Sequence, residues 1–322
     1  MLDRPYVSAV DVDRALDVLL MRRTSVRADR YPTLYRLRML LISRLWSPEQ
    51  NAHVWSDKIG RLLGCALLLQ GRSDSPRFEL VCLTHPYAPS ALFTDHMLPW
   101  ALSRGYEIAQ ERAAPITLEH AVDGQEAMTI LALERNGFAR HPIQVLYMAR
   151  SFDTPLPEPI LPTGFTLRAP VDEDEIDAYL ALYNEMSTPL SRTHRLALMD
   201  TLDYSSALDL VAVASDGALA AFCECSIDYR EGRQEGRQVG WIEHLGTRAT
   251  MRRLGLGRAM TLAGLHRLRA NGARTAILAT HSANTQAQSL YTHLGFKIIG
   301  KELWFVKDIA DTASRPVEHA KG

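Results

Sequence analysis

The stretch MRRLGLGRAM (Met251–Met260) sets two glycines, Gly255 and Gly257, one residue apart among three arginines, Arg252, Arg253 and Arg258, with no acid. It follows the strand-like VGWIEHLGT (239–247) and opens a helical pattern over about Leu256 to Ala270. Two glycines at a strand-to-helix junction let the backbone turn tightly. The first amides of a helix lack internal partners and point outward. With the helix dipole they make an anion site suited to phosphate, and arginines add charge-assisted donors. The cationic character reaches past the turn. From His244 to Lys301 there are seven arginines, two lysines and no acid, in a chain whose net charge is -1.

Around this turn the second half reads as β-α-α-β-β-β-α-β-α-β. A helix over Asp172 to Met186 starts with acids that suit its dipole, and a second runs near Arg192 to Leu202. Asp216-Gly217 between two apolar runs predicts a hairpin. A charged loop, Tyr229 to Gln238, leads into 239–247. After the glycine turn and its helix come the apolar strand TAILAT and a last helix with Ala287, Leu290, Tyr291 and Leu294 on one face, closed by Gly295. Hairpins mixed with strand-helix-strand units imply an α/β fold with a mixed, mostly antiparallel sheet flanked by helices.

The first half follows the same plan. LERNGF (133–138) matches YTHLGF (291–296), and strand-like IQVLYMAR and KELWFVKDI follow each at a similar offset. Near the front, YVSAVDVDRALDVLL matches TLRAPVDEDEIDAYLALY. Matches at nearly constant spacing argue for a duplicated domain. Between the halves, SFDTPLPEPILPTG carries Pro155, Pro157, Pro159 and Pro162 and reads as an extended linker. The expected division is therefore a first domain over 1–152, a linker over 153–163, a second domain over 164–310 and a flexible tail over 311–322.

Apolar content of 47 % and charged content of 23 % are ordinary for a globular chain. The net charge offers nothing to nucleic acid or an anionic membrane. The start is interrupted by Asp3, Asp11, Asp13 and Asp17, so it reads as no secretory signal, and no apolar run approaches the roughly 20 residues that span a bilayer. A cytoplasmic protein is expected. Of four cysteines, Cys223 and Cys225 are read as pointing to opposite faces of one strand, giving structural thiols and neither a metal nor a redox pair. No metal site is expected.

The parts around the glycine turn carry a more specific signal. RRLGLG fits the pattern Q/R-x-x-G-x-G/A, and NTQAQSLYTHLGF supplies Asn284, Tyr291 and a Leu-Gly-Phe ending. This arrangement resembles the GNAT superfamily of acyl-CoA-dependent N-acyltransferases, specifically over about Gly164 to Ala310 and only in plan over the first half. The whole looks like a tandem GNAT protein. The resemblance implies acetyl-CoA or another acyl-CoA as co-substrate, with its pyrophosphate on the turn formed by Arg252, Arg253, Leu254, Gly255, Leu256, Gly257 and Arg258. It implies that Leu245, Gly246 and Thr247 bind the pantetheine arm as an added strand, that a backbone amide there serves the oxyanion, and that Asn284 bonds the pantetheine or caps its helix. Thr247 departs from the β-branched aliphatic residue common there, which bears on acyl-group preference.

Acyl transfer to an amine needs a base, because an amine of pKa about 10.4 is mostly charged at pH 7. It also needs donors for the oxyanion and a proton for the departing thiolate. Glu243 is the candidate base, on the strand before the turn; its other reading is a structural carboxylate paired with an arginine. His244 would point to the other face of a regular strand. Tyr291 is the candidate acid; its other reading is a core tyrosine. The first half lacks these parts. Arg72 to Arg104 contains no glycine, Pro86 and Pro89 remove amides where the cradle should be, and Leu133 stands where Tyr291 stands. It is expected to be non-catalytic and to help shape the acceptor pocket. The leading reading is an N-acyltransferase acting on a small-molecule or peptide amine. A mycothiol-synthase-like acetyltransferase, also tandem with a working second half, is a narrower variant; a non-catalytic acyl-CoA-binding regulatory module is the alternative.

Overall fold

The computed structural model describes residues 1–310 except 8–10, 12, 13, 16, 20, 22–32, 34, 36, 38–46, 71–73, 171–174, 188, 201–203 and 228–237. The expected 229–238 loop, all but its last residue, and the expected tail therefore lie outside the described residues. In chain order the principal elements are β1 (Leu2–Pro5), β2 (Ala52–Ser56), β3 (Leu62–Gln70), β4 (Arg77–Thr84), α1 (Leu98–Arg112), β5 (Ile116–Asp123), α2 (Ala127–Arg135) and β6 (Ala139–Ser151). There follow β7 (Phe165–Arg168), α3 (Ile176–Asn184), α4 (Arg192–Met199), β8 (Asp209–Ala214), β9 (Leu219–Ile227), β10 (Val239–Thr247), α5 (Leu256–Ala270), β11 (Thr275–His281), α6 (Thr285–His293) and β12 (Lys297–Ile309). Among the described residues no helix is long and apolar enough to cross a membrane.

The chain forms two compact units. The first comprises residues 1–19, 45–143 and 302–322, and the second comprises 20–44 and 144–301. In the first, β1, β2, β3, β4, β5 and the end of β12 pair in that order, antiparallel except for β4 with β5. In the second, β7, β8, β9, β10, β11 and the end of β6 pair in the same order, antiparallel except for β10 with β11. The duplicated plan is thus a duplicated sheet topology.

The last strand of each sheet comes from the other half of the sequence. Glu302–Ile309 pairs along Ile116–Asp123 and buries Leu303, Phe305 and Ile309 in the first unit's core. Val145–Ser151 pairs along Thr275–His281, and Met148 and Phe152 join the second core. A linear division at 152 and 164 therefore does not describe these strands. Each carries a half-apolar pattern that satisfies either sheet, so the pattern leaves the pairing open. Phe305→Ala is expected to destabilise the first unit by about 3 kcal/mol, as for a buried aromatic truncated to alanine. The check is hydrogen exchange, with loss of protection in β4 and β5, which lie far from Phe305 in sequence.

In the second unit, α5 runs over Leu256–Ala270, the range its sequence predicts, and lays Leu256, Ala259, Met260, Ala263 and Leu268 on the sheet. Gly264 permits the close approach: a Cβ there would come within 2.7 Å of Cys223 Sγ and 3.0 Å of Cys225 Sγ. Those two cysteines share a face of β9, with their sulfurs 3.7 Å apart, both free and buried. The expectation of opposite faces is wrong, because strand side chains alternate and residues two apart point the same way. The hairpin falls at Asp216-Gly217, with Gly217 at φ +87°.

Candidate functional site

The second unit's site begins where two strands part. The parallel ladder of β10 with β11 runs from Val239↔Thr275 to Ile242↔Leu278 and stops, although both strands continue. Beyond that point β10 stays paired only with β9, through Thr247↔Ala221. One backbone edge of β10 is thereby left to face the gap. A cavity of about 650 Å³ fills the gap, lined by Ile242, Glu243, His244 and Leu245 from β10, Leu278–His281 from β11, and Asn284 and Tyr291 from α6. Met186 and Ser187 close another side. Gly246 lies under this wall, where a Cβ would strike Phe222 and Met186 at 2.5 and 2.7 Å.

Glu243 and His244 line the same cavity because β10 is not regular. The register against β9 slips between Ile242↔Cys225 and His244↔Glu224, so Glu243 is the extra residue of a β-bulge. The expected alternation, with His244 on the far face, is therefore overturned. Ser226 Oγ donates to Glu243 Oε1 at 2.6 Å, and the Thr33 hydroxyl also bonds this carboxyl. Burial raises its pKa above the ordinary carboxylate value, against the hydrogen bonds from Ser226 and Thr33 and the His244 charge. Among the described residues Glu243 has no arginine partner.

A buried charge network stands behind His244. Its Nδ1 lies 2.9 Å from Glu224 Oε2 and its Nε2 lies 3.0 Å from the Tyr183 hydroxyl. Glu224 Oε1 accepts from Arg195 Nη1 at 2.7 Å and from the Tyr35 hydroxyl at 2.5 Å. Arg195 also pairs with Asp209, and its guanidinium stacks 4.3 Å from the Tyr179 ring centroid. Burial opposes charge on Glu224, but His244, Arg195 and Tyr35 together hold its pKa down at about 2. Thr33 and Tyr35 sit in the second unit although the linear division assigns them to the first domain. The sequence reading missed this network. One signal was present: Glu224 is a lone acid in the otherwise apolar LAAFCECSI.

Tyr291 is 8 % exposed and packs edge-on to Phe296 at 5.9 Å, so it belongs to the core and lines the cavity at once. Burial pushes its hydroxyl up to about 12. Asn284 caps α6: its side chain accepts from Ala287 N at 3.1 Å. Thr247 O accepts from Arg252 Nε at 3.2 Å.

The glycine turn follows β10 directly. Arg253 and Gly255 take left-handed backbones, φ +67° and +94°, which fold the chain back into α5. Gly255 is the N-cap residue and offers no capping side chain, so the first amides of α5 lack that partner. Arg252, Arg253, Leu254 and Arg258 are exposed around it. At Gly257 a Cβ would meet only Leu290 at 3.7 Å, an ordinary contact.

The first unit has the same parting of strands. Its parallel ladder ends at Leu80↔His120. His120 Nδ1 bonds Leu80 O at 2.7 Å at that last pair, and Phe93 stacks on the imidazole at 5.2 Å. Leu133, the counterpart of Tyr291, is wholly buried.

The profile of the Acetyltransferase (GNAT) family matches residues 176–296, which include β10, the glycine turn and α6. A tandem GNAT protein from the clavulanic acid biosynthesis pathway superposes over 95 % of this chain and 98 % of its own, with a TM-score of 0.67 at 16 % identity. Residues 176–296 therefore carry a GNAT domain. A GCN5-related N-acetyltransferase from Sphaerobacter thermophilus shares the fold over 96 % of both chains, with a TM-score of 0.65 at 20 % identity. A mycothiol acetyltransferase from Pseudarthrobacter chlorophenolicus is 32 % identical over 170 residues, 50 % of this chain and 51 % of that protein. The chain spans about half the length of the curated relatives it matches first. The tandem GNAT architecture accounts for the repeated sheet, and the second copy holds the open cavity.

Proposed function

We propose that this GNAT protein transfers an acetyl group, or another acyl group, from its CoA thioester to a primary amine in the second unit, with Glu243 as base and Tyr291 as acid. The observation that carries the reading is the cavity at the parted strands, which brings Glu243 and Tyr291 onto its walls together. The residues fit a CoA thioester. The uncapped amides of α5, with Arg252, Arg253 and Arg258 beside them, suit a diphosphate. The unpaired edge of β10 from Glu243 to Thr247 suits an arm bearing amides. When bound, the thioester supplies an activated carbonyl carbon and a thiolate leaving group.

The chain's residues then have distinct tasks. Glu243 takes a proton from the acceptor's ammonium, which its negative charge also attracts. Backbone amides near Leu245 to Thr247 donate to the oxyanion. Tyr291, held protonated by burial, gives its proton to the departing sulfur. The first unit, with buried Leu133 where the second has Tyr291, takes no part in this chemistry. The relatives named mycothiol acetyltransferase favour a small-molecule acceptor such as mycothiol lacking its acetyl group.

The test is incubation of the full chain with acetyl-CoA and a panel of amines, including deacetylated mycothiol, L-cysteinamide and an N-terminal peptide. One acetyl group gained, read by mass spectrometry, supports the reading; no acetylated amine overturns it. Glu243→Gln keeps an acceptor for Ser226 and removes the base. It is expected to lower kcat by about 50-fold, within the lower range for general bases. Activity must rise with pH as Glu243 loses its proton, and that ascending limb disappears from the variant's pH profile.

A further inference from the structure

The reaction removes two protons from the acceptor nitrogen, since an ammonium becomes an amide carrying one hydrogen fewer than the free amine. The bulge in β10 brings two basic side chains, not one, to the cavity wall. Glu243 is one of them, and the second belongs to a built device. Ionised Glu224 can only accept, so its 2.9 Å contact requires His244 Nδ1 to carry the proton. In the neutral imidazole Nε2 then keeps its lone pair, 3.0 Å from the Tyr183 hydroxyl. Glu224 is in turn fixed by Arg195 and Tyr35, and both acid and guanidinium are nearly inaccessible, at 4 % and 2 % side-chain exposure. A carboxylate buried this deeply and clamped from two elements points the imidazole and stabilises it when it gains a charge.

We propose that His244, oriented by Glu224, is a second catalytic base that takes the second proton from the acceptor nitrogen. The proposal rests on the acyl-transfer reading above. Glu243 takes the first proton, turning ammonium into amine. The nitrogen lone pair forms the C–N bond at the thioester carbonyl carbon. As the carbonyl re-forms, the C–S bond breaks and its electron pair leaves with sulfur, which receives the Tyr291 proton. The nitrogen's remaining surplus proton passes to His244 Nε2, and Tyr183, which rests against that lone pair, gives way to the acceptor nitrogen. Of the two protons now on Glu243 and His244, one restores Tyr291 and one goes to solvent. Atoms and charge balance with acyl-CoA and amine alone.

The charged and titratable groups around His244 are Glu224 on β9, Glu243 on its own strand, Tyr183 on α3, Arg195 on α4, Tyr35, His281 on β11 and Tyr291 on α6. Of these, Glu224 acts on the imidazole most directly. The test compares kcat against pH for the full chain, His244→Asn and Glu224→Gln, using acetyl-CoA and the panel amine with the highest turnover. Asparagine keeps a donor toward Glu224 and removes the base; glutamine keeps an acceptor toward Nδ1–H and removes the charge. The wild type is expected to show two ascending limbs. His244→Asn loses one of them and about tenfold in kcat. Glu224→Gln alters that same limb, because imidazolium loses its anion. Both variants bind acetyl-CoA as the wild type does. Unchanged limbs in active variants overturn this proposal and leave the acyl-transfer reading standing. Loss of acetyl-CoA binding in both would mark the network as structural and also overturn it. A wild type that acetylates no amine overturns both readings.

Discussion

Gly257→Glu is expected to weaken acetyl-CoA binding by about 1,000-fold while leaving the fold intact. Gly257 is the second residue of α5, and its backbone takes no left-handed value, so the helix itself does not demand glycine. A Cβ there meets only Leu290 at 3.7 Å, which the protein accommodates. In the proposed reading the demand for glycine comes instead from a diphosphate lying against the α5 amides. A carboxylate in that place opposes a diphosphate, and like-charge contact at a binding surface costs several kcal/mol, at 1.4 kcal/mol per tenfold. Gly257→Ala separates shape from charge and should lose less. The measurement is calorimetric titration, with circular dichroism confirming the fold. Retained affinity in Gly257→Glu would remove the anion from the α5 terminus.

Tyr291→Phe is expected to lower kcat by about 1,000-fold with acetyl-CoA affinity unchanged. The substitution keeps the ring that packs on Phe296 and removes only the hydroxyl at the cavity. General acids contribute about 100- to 10,000-fold. A hydroxyl pushed up to about 12 remains protonated across the working range, so it produces no descending limb below about pH 10. In the proposed reading the leaving thiolate departs into the same gap, where desolvation raises its own affinity for a proton. Steady-state rates at saturating substrate give the answer. An unchanged rate would return Tyr291 to a packing role, which its burial already allows.

Much of this site is legible in the sequence because it is local. The bounds of α5, the Asp216-Gly217 turn and the cap at Asn284 follow from residues within one turn of each other. Glu243, Asn284 and Tyr291 are spread over 49 residues of chain, yet they meet because a strand-helix-strand-helix order fixes where each element ends. What the sequence hides is decided at a distance. The bulge at Glu243 depends on how β10 pairs with β9, and no residue within 239–247 announces it. The exchange of the final strands depends on topology, since β6 and β12 carry patterns either sheet would accept. Thr33 and Tyr35 reach Glu243 and Glu224 from roughly 200 residues away, a separation that residue spacing cannot bridge. The cysteine pair was legible, since period-two alternation puts Cys223 and Cys225 on one face.

Calorimetric titration of the full chain with acetyl-CoA, read for stoichiometry as well as affinity, tests the central claim most directly. The cavity and glycine turn of the second unit, against a first half with no glycine from Arg72 to Arg104, predict one site per chain, lost in Gly257→Glu. Two sites per chain would contradict a non-catalytic first unit, and no binding would contradict the account as a whole.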